Sequence, residues 1–160
     1  EFDKVEAKIS YSMLLKNKGE LALNLNGGKF FNAENIAFID YKHFNGNQTH
    51  IELTAKYLDN FLLLPYYSNS TNTSYFQLHS EYNDNGFIMN KIPLLRALKS
   101  QLVMGYHGLG TPNKKPYNEF NIGLDHLGFG KFKMFRIDYV RSYEGGIKTN
   151  GFMFKLNLNN

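Results

Sequence analysis

The feature that most constrains this chain is the alternation of apolar and polar side chains over segments of about ten residues. In the first segment one face carries Val5, Ala7, Ile9, Tyr11 and Met13, and the other carries Lys4, Glu6, Lys8, Ser10 and Ser12. Successive side chains of a β-strand point to opposite faces, so this period indicates a two-faced strand. The pattern returns along the chain, which is therefore predicted to be all-β with about seven clear strands.

Turn residues and breaks in the period divide these strands. We expect them at about 4–13, 21–26, 73–85, 99–109, 117–126, 131–143 and 147–158. The stretch 27–72 is less regular and predicts a long loop with room for a short hairpin, since weaker strand patterns occur at 48–57 and 60–67. Residues 87–98 predict a short helical turn, because Pro93 suits its first position.

Composition excludes several functional classes. The 160 residues include 14 Phe and 11 Tyr, which suit strands, and no Cys, which excludes disulfides and thiolate metal ligands. The net charge of +4 is spread without a basic stripe, so no nucleic-acid partner is predicted. The histidines lack metal-binding spacing, and no metal or cofactor is expected. His79 and Ser80 are adjacent and point to opposite faces of a strand, which disfavours a Ser–His hydrolase.

Alternation alone leaves the surroundings of the apolar face open. In a soluble barrel or sandwich the apolar set fills the core, whereas in a membrane barrel it meets lipid and the polar set lines the lumen. The polar set includes the lumen-facing candidates His79, Glu81, Asp125, Arg136 and Asp138, together with Gln77, Asn121, Lys155 and Asn157. We expect Arg136 and Asp138 to form an ion pair across strands.

The last predicted strand favours the membrane alternative. Residues 150–156 read polar, Gly, any, any, hydrophobic, any, hydrophobic, which resembles the C-terminal β-signal that outer-membrane proteins present to the barrel assembly machinery. Gly151 permits close backbone approach, and Phe154 and Leu156 display apolar side chains on one face. The candidate signal residues are thus Asn150, Gly151, Phe154 and Leu156. The final residue, Asn160, departs from the signal because it is not aromatic.

Three blocks resemble the C-terminal barrel of large outer-membrane proteins that carry an N-terminal carboxypeptidase-regulatory-like domain, a family of unknown function. They are Phe44-Asn45-Gly46-Asn47-Gln48-Thr49, residues 85–96 and Phe135-Arg136-Ile137-Asp138-Tyr139-Val140. The most specific stretch is Asn90-Lys91-Ile92-Pro93-Leu94-Leu95-Arg96. More distantly, the layout is similar to the BamA-type superfamily of insertases and secretion pores, whose barrel of roughly 16 strands has a long extracellular loop before its last strands.

The resemblance implies an antiparallel transmembrane β-barrel, with residues 1–160 as one region of about 7–10 strands within a larger barrel of roughly 16. Counting back from a final strand that descends to the periplasm, 27–72 is extracellular and 87–98 is periplasmic. On that periplasmic turn, Ile92, Leu94 and Leu95 are either barrel rim or a docking spot for a partner. The superfamily's loop carries an arginine motif that reaches the lumen, but this chain has no arginine before Arg96.

The expected function is non-enzymatic, with a transport, protein-export or assembly, or scaffold role in the bacterial outer membrane. The implied partners are outer-membrane lipid, the barrel assembly machinery and other outer-membrane or periplasmic subunits. Two alternatives remain open. One is a soluble β-barrel or sandwich that binds an apolar ligand and shields Leu102, Met104 and Ile122 from water, and the other is a barrel hydrolase.

Overall fold

The computed structural model of the chain describes residues 1–47, 49–52, 57–129 and 132–156. These residues form one eight-stranded sheet with the order β1-β2-β4-β5-β6-β7-β8-β3. Its strands are β1 (Asp3–Leu14), β2 (Glu20–Phe31), β3 (Ile51–Glu52), β4 (Ser74–Asn83), β5 (Gln101–Gly110), β6 (Tyr117–Phe129), β7 (Phe132–Glu144) and β8 (Ile147–Leu156). All neighbours are antiparallel except β3, which runs parallel to β8. The all-β prediction is confirmed, and within the described residues the sheet is not closed.

The long loop differs from its prediction in two respects. β2 continues to Phe31, so the loop begins at residue 32 rather than 27. The strand-like pattern at 60–67 does not correspond to a strand, because those residues form bends and turns. The stretch 48–57 contributes only β3 among its described residues. The apolar run Phe61–Leu64 is buried against a face of the sheet rather than paired as a strand. A sequence pattern does not distinguish these two kinds of burial.

The connections lie at the two ends of the sheet. The turn end holds the turn at residues 15–19 and the 84–100 connection, which contains a 3₁₀ turn at Met89–Lys91 and helix α1 (Pro93–Arg96). Pro93 begins α1, as predicted. The loop end holds residues 32–73, residues 111–116 and the Gly145–Gly146 turn. No helical segment in the described ranges is both long and apolar enough to cross a membrane.

The two faces of the sheet have opposite chemistry. On the outer face, strand register aligns an apolar row across seven strands: Met13, Leu21, Tyr82, Met104, Ile122, Tyr139 and Phe152. Large side chains of this face are exposed, with Ile122 at 49% and Phe152 at 58%. The opposite, inner face carries the polar set, and it is largely buried.

Part of the long loop covers the inner face. We call residues 42–71 the tongue, because its two legs lie side by side. Backbone hydrogen bonds join Lys42 to Thr71 at 2.8 and 3.1 Å, and the Phe61 N–H donates to the Asn45 carbonyl at 2.8 Å. The tongue's run Phe61–Leu64 packs with inner-face residues in two apolar clusters, whose sheet members are Tyr75, Leu109, Tyr117, Val140 and Met153. The core therefore lies between the tongue and the inner face.

The inner face requires glycine at Gly123. A Cβ there would lie 2.3 Å from Asp138 Oδ1 and 2.6 Å from the Ile137 carbonyl oxygen. We expect Gly123→Ala to lower the free energy of unfolding by about 1–3 kcal/mol, as overpacking does. The matched control is Gly110→Ala, whose Cβ would meet nothing within 4 Å. Urea unfolding followed by far-UV circular dichroism measures both, and equal stability of the two variants would contradict the packing described.

Candidate functional site

Arg136 lies at the centre of the inner face and is 1% exposed. Its Nε and Nη2 donate to Asp138 at 2.8 and 2.9 Å, and Nη1 and Nη2 donate to Glu81 at 3.0 and 2.7 Å. Asp138 is two residues away on the same strand, so the predicted Arg136–Asp138 pair does not cross strands. The cross-strand partner is Glu81 of β4, because side chains two residues apart share a face.

The contact between Arg136 and Glu81 shows that the inner face is concave. The strand register aligns Glu81 of β4, through β5 and β6, with Val140 of β7. Arg136 therefore lies three strands away from Glu81 and four residues along β7 from the position opposite it. In a flat sheet that offset corresponds to about 20 Å between Cα atoms. Extended Arg and Glu side chains joined by a hydrogen bond span only about 15 Å. The sheet must therefore curve toward its polar face.

A second cation links this cluster to the tongue. Lys155 of β8 places Nζ 3.6 Å from Asp138 Oδ2 and 3.5 Å from Glu52 Oε2 of β3. Glu52 also accepts a hydrogen bond of 2.6 Å from Asn60 Nδ2, and Asp138 accepts one of 2.8 Å from Asn121 Nδ2. Arg136 and Lys155 thus face three carboxylates, those of Glu81, Asp138 and Glu52. Buried charges are tolerated when they are paired and hydrogen-bonded in this way.

Glu119 anchors the tip of the tongue. It is fully buried on β6 and accepts hydrogen bonds from the backbone N–H groups of Leu62 and Leu63 and, at 2.7 Å, from the Tyr117 hydroxyl. Its carboxylate therefore satisfies two consecutive N–H groups that a strand partner would otherwise bind. A polar contact thus places the apolar side chains of the same two residues in the core.

Two histidines meet beneath the tongue. His79 of β4 and His107 of β5 are directly opposite, with their Nδ1 atoms 2.8 Å apart, so one ring donates to the other. The Phe61 ring lies 4.6 Å from the His79 ring, centroid to centroid. Among the described residues neither Nε2 has a hydrogen-bond partner. Through its contact with Phe61, the histidine pair forms part of the surface on which the tongue packs.

The other edge of the sheet is also tied to the tongue. Asp59 accepts hydrogen bonds from Lys8 Nζ at 2.7 Å and Asn24 Nδ2 at 2.9 Å, and Lys42 Nζ lies 2.7 Å from Glu6 Oε1. Burial works against ionisation of Asp59, but the Lys8 ammonium and the Asn24 amide hold its pKa below the ordinary value. The tongue therefore spans the inner face from β1 to β8.

The remaining predicted site residues lie elsewhere. Asp125 is buried on the inner face, but its carboxylate contacts His126 rather than the cluster. Gly151 admits the tongue, since a Cβ would lie 2.8 Å from Leu63 Cδ2. Phe154 points outward and is 52% exposed, while Leu156 is half-buried and Asn150 accepts a hydrogen bond from the Tyr139 hydroxyl. Their assembly role stays a prediction.

The predicted docking spot at the turn end is described only in part. Ile92 is 42% exposed. The side chains of Leu94 and Leu95 lie outside the described part of the chain. Whether this turn meets a partner stays a prediction.

The described residues do not form a complete catalytic triad or metal centre. Ser80 Oγ donates to the Tyr106 carbonyl, on the face opposite His79. A different serine, Ser70, lies 2.7 Å from His43 Nδ1, but among the described residues no carboxylate is hydrogen-bonded to that ring. Nor do three or more His, Asp or Glu residues in the described ranges form a group that could hold a metal ion. The inner-face polar groups join strands of the sheet to one another and, through Lys155–Glu52 and Glu119, join the sheet to the tongue. We call this set the lock: Glu52, His79, Glu81, His107, Glu119, Arg136, Asp138 and Lys155.

Lys155 was placed on the polar face with Arg136, but three members of this lock were not predicted from the sequence: Glu52, His107 and Glu119. Glu119 had a usable signal, because it alternates with Asn121 on β6. Glu52 had none, because its role depends on where the tongue docks.

Arg136 provides a direct test of the lock. We expect Arg136→Met to lower the free energy of unfolding by about 3–5 kcal/mol, because it leaves buried carboxylates without their cation. The control Arg141→Met, on the exposed outer face of the same strand, should not lower it. In urea unfolding, Arg136→Met/Glu81→Met should lose less than the sum of the single changes. Additive losses would contradict a direct interaction.

Glu119 provides a test of the tongue alone. The NH₂ group of Glu119→Gln would face a backbone N–H, so we expect a cost of about 1–3 kcal/mol and easier opening of the tongue. Chymotrypsin should then cleave within 57–67 faster than in the wild-type chain. The control Glu34→Gln removes an exposed carboxylate from the same long loop and should leave cleavage unchanged. Equal cleavage of both variants would remove Glu119 as the anchor.

Comparison with known proteins identifies one family. The model of the C-terminal domain of a family of unknown function, DUF5686, matches residues 1–124, from β1 into β6. No curated protein and no solved structure matches the chain. Arg136, Asp138 and Lys155 lie outside the matched residues.

Proposed function

The chain belongs to the DUF5686 family of unknown function, and we propose that it is part of an outer-membrane β-barrel whose outer face meets lipid and whose lumen is closed by the tongue. The proposed role is non-enzymatic passage of a substrate across the outer membrane, with displacement of the tongue as the opening step. The observation that carries this proposal is the inverted polarity of the sheet.

Water-soluble proteins seldom bury charged side chains or expose large apolar patches, and this chain does both. Arg136, Asp138 and Glu119 are at most 1% exposed, whereas Tyr11 and Phe152 are 56% and 58% exposed. A bilayer around the outer face would cover these apolar rows. Backbone groups of the sheet are already paired between strands, which a hydrocarbon environment requires.

The length of the apolar surface fits a bilayer. On β1, outward residues run from Val5 to Met13, eight steps of about 3.4 Å. That gives about 27 Å along the strand, or about 21 Å for a strand tilted by about 40°. Outer-membrane barrels carry an apolar band about 25 Å tall. The strand length is therefore suited to crossing.

The edges of the sheet support a larger barrel. β1 is exposed along its 12 residues, and among the described residues it has only β2 beside it, while the described part of the chain covers the far edge of β8 with just the two residues of β3. Such free edges do not occur in contact with lipid. The concave inner face points toward closure, with the missing strands supplied by chain outside these residues. A total of roughly 16 strands follows from the resemblance described above.

The resemblance of β8 to the β-signal orients the barrel in this proposal. β8 ends at the turn end, which would lie in the periplasm, and the tongue enters from the extracellular side. The BamA-type superfamily brings an arginine into the lumen on its long loop. In this chain the tongue instead brings Glu52 to Lys155 of β8. We therefore do not assign insertase activity to it.

The soluble alternative has less support. It requires Leu102, Met104 and Ile122 to be shielded by the protein. Leu102 is half-buried, but Met104 and Ile122 are 40% and 49% exposed.

The first test is whether the purified chain stays folded and monodisperse without detergent. Circular dichroism and size-exclusion chromatography should show β-structure and a single species only with detergent present. A compact, folded species in plain buffer would refute the lipid-facing outer surface.

A substitution at Ile122 distinguishes an outer face that meets lipid from one that meets water. In a bilayer we expect Ile122→Lys to lower the free energy of unfolding by about 2–4 kcal/mol if it lies near the midplane. In water a change at an exposed position alters stability by only about 0.5 kcal/mol. Urea unfolding from vesicles measures the difference. Ile39→Lys, at an 82% exposed position in the long loop, is the control and should be neutral.

A further inference from the structure

The part of the inner face that holds the tongue differs from the rest of that face. The inner face is mainly polar, but beneath Phe61–Leu64 it is apolar around the carboxyl group of Glu119. We call this surface the groove, and its members on the sheet, all buried in the closed chain, are Tyr75, Leu109, Tyr117, Glu119, Val140 and Met153. Displacement of the tongue, the opening step proposed above, would uncover these apolar side chains, and exposure of apolar surface to water is unfavourable. The open groove therefore favours a new occupant.

The groove holds its occupant by the backbone. The two carboxyl oxygens of Glu119 accept hydrogen bonds from the N–H groups of Leu62 and, at 3.0 Å, Leu63. The Tyr117 hydroxyl donates to the same carboxyl group at 2.7 Å and holds it in place. Every residue except proline carries a backbone N–H, whereas a lipid acyl chain has no such donor. The anchor therefore suits a polypeptide rather than a lipid tail.

The surroundings of this anchor select apolar side chains. The Phe61 ring lies 4.6 Å from the His79 ring and 5.7 Å from the Tyr117 ring, centroid to centroid. The Leu63 side chain fits because position 151 is glycine, where a Cβ would lie 2.8 Å from Leu63 Cδ2. Burial of apolar side chains is the main source of favourable free energy for a bound segment. The groove thus accepts a short apolar run that begins with an aromatic residue.

The tongue can leave without disturbing the groove. Its other ties include two near the edges of the sheet, where Asp59 accepts a hydrogen bond from Lys8 and Glu52 lies 3.5 Å from Lys155. The groove residues themselves lie on β4 to β8, which are joined by backbone pairing between neighbouring strands. That pairing does not involve the tongue run Phe61–Leu64, so the groove keeps its shape when the run moves away.

We propose that the open groove binds an apolar segment of another polypeptide, held as Phe61–Leu64 is held, and that the tongue is an internal competitor for the same site. The tether keeps the tongue at a high effective concentration, so the closed state prevails until a segment with comparable contacts displaces it. The substrate class assigned to the passage proposed above is therefore unfolded protein. Only this role in passage rests on the proposed function, because the binding site is defined by contacts within the chain.

The test measures binding of a fluorescein-labelled peptide with the sequence of residues 59–66 by fluorescence anisotropy. The purified chain is held in detergent micelles, and its own tongue is kept out of the groove by Phe61→Gly/Leu62→Ser/Leu63→Gly/Leu64→Ser, which leaves every sheet residue unchanged. We call this variant the opened chain. The peptide should bind the opened chain at least about tenfold more tightly than the wild-type chain, in which the tongue occupies the groove.

Two matched controls test the backbone anchor. A second peptide carries N-methyl groups on the amide nitrogens of Leu62 and Leu63, so it keeps the side chains and loses both donors. We expect its affinity for the opened chain to be lower by about tenfold or more. In the opened chain, Glu119→Gln should weaken binding of the unmodified peptide and reduce the difference between the two peptides. The change Glu34→Gln, at an exposed position of the long loop, should alter neither.

Equal affinity of the two peptides, or no binding of the unmodified peptide to the opened chain, overturns the proposal. Binding of a fluorescent fatty acid that Glu119→Gln leaves unchanged, without peptide binding, assigns the groove to acyl chains and overturns it as well. If the opened chain does not fold, Asp59→Ala replaces it, because that change removes the ties to Lys8 and Asn24 outside the groove and should raise the affinity for the peptide above that of the wild-type chain.

Failure of this site and failure of the membrane proposal give different results. A chain that folds without detergent and still binds the peptide refutes the membrane proposal and leaves the site intact. A chain that needs detergent to fold and binds neither peptide refutes the site alone.

Discussion

A guanidinium enclosed by protein is stable only where carboxylates surround it, and Arg136 meets this condition with groups from two strands that are not neighbours. The contact with Glu81 requires a curved sheet, because a flat one would hold the two residues too far apart. The curvature brings the polar side chains of successive strands close together. Gly123 is the local consequence, since the Asp138 carboxylate occupies the space a side chain would need. The curvature of the sheet, the glycine at position 123 and the pairing of Arg136 with carboxylates therefore depend on one another.

The tongue is held by two kinds of interaction that depend on each other. Its Phe61–Leu64 run buries apolar area, while Glu119 satisfies the backbone of the same segment. The two depend on each other because an apolar run without a hydrogen-bonded backbone leaves costly buried N–H groups. The lock between tongue and sheet is also distributed, from Asp59 on one side to Glu52 on the other. Displacing the tongue requires many weak contacts to break together.

The sequence predicted the seven long strands because their alternation is local information. It also placed His79, Glu81, Arg136 and Asp138 on one polar face, since face assignment follows from the period of two. It did not predict that Arg136 would pair with Glu81, because that contact depends on curvature. The run Phe61–Leu64 resembled a strand, since a covered loop and a buried strand have the same composition. Glu52 and Glu119 became recognisable only with the tongue in place.

The order of elements along the chain sets a timing problem for folding. The tongue precedes β4 to β8 in sequence, yet its contacts reach β8, and the Leu62–Glu119 bond joins residues 57 positions apart. Contacts this distant form late, because the intervening chain must first be ordered. During synthesis the apolar run Phe61–Leu64 emerges before the strands that will shelter it. Until β8 is in place, that run is an exposed apolar segment prone to aggregation, and a chaperone bound to the unfolded chain would have to shield it.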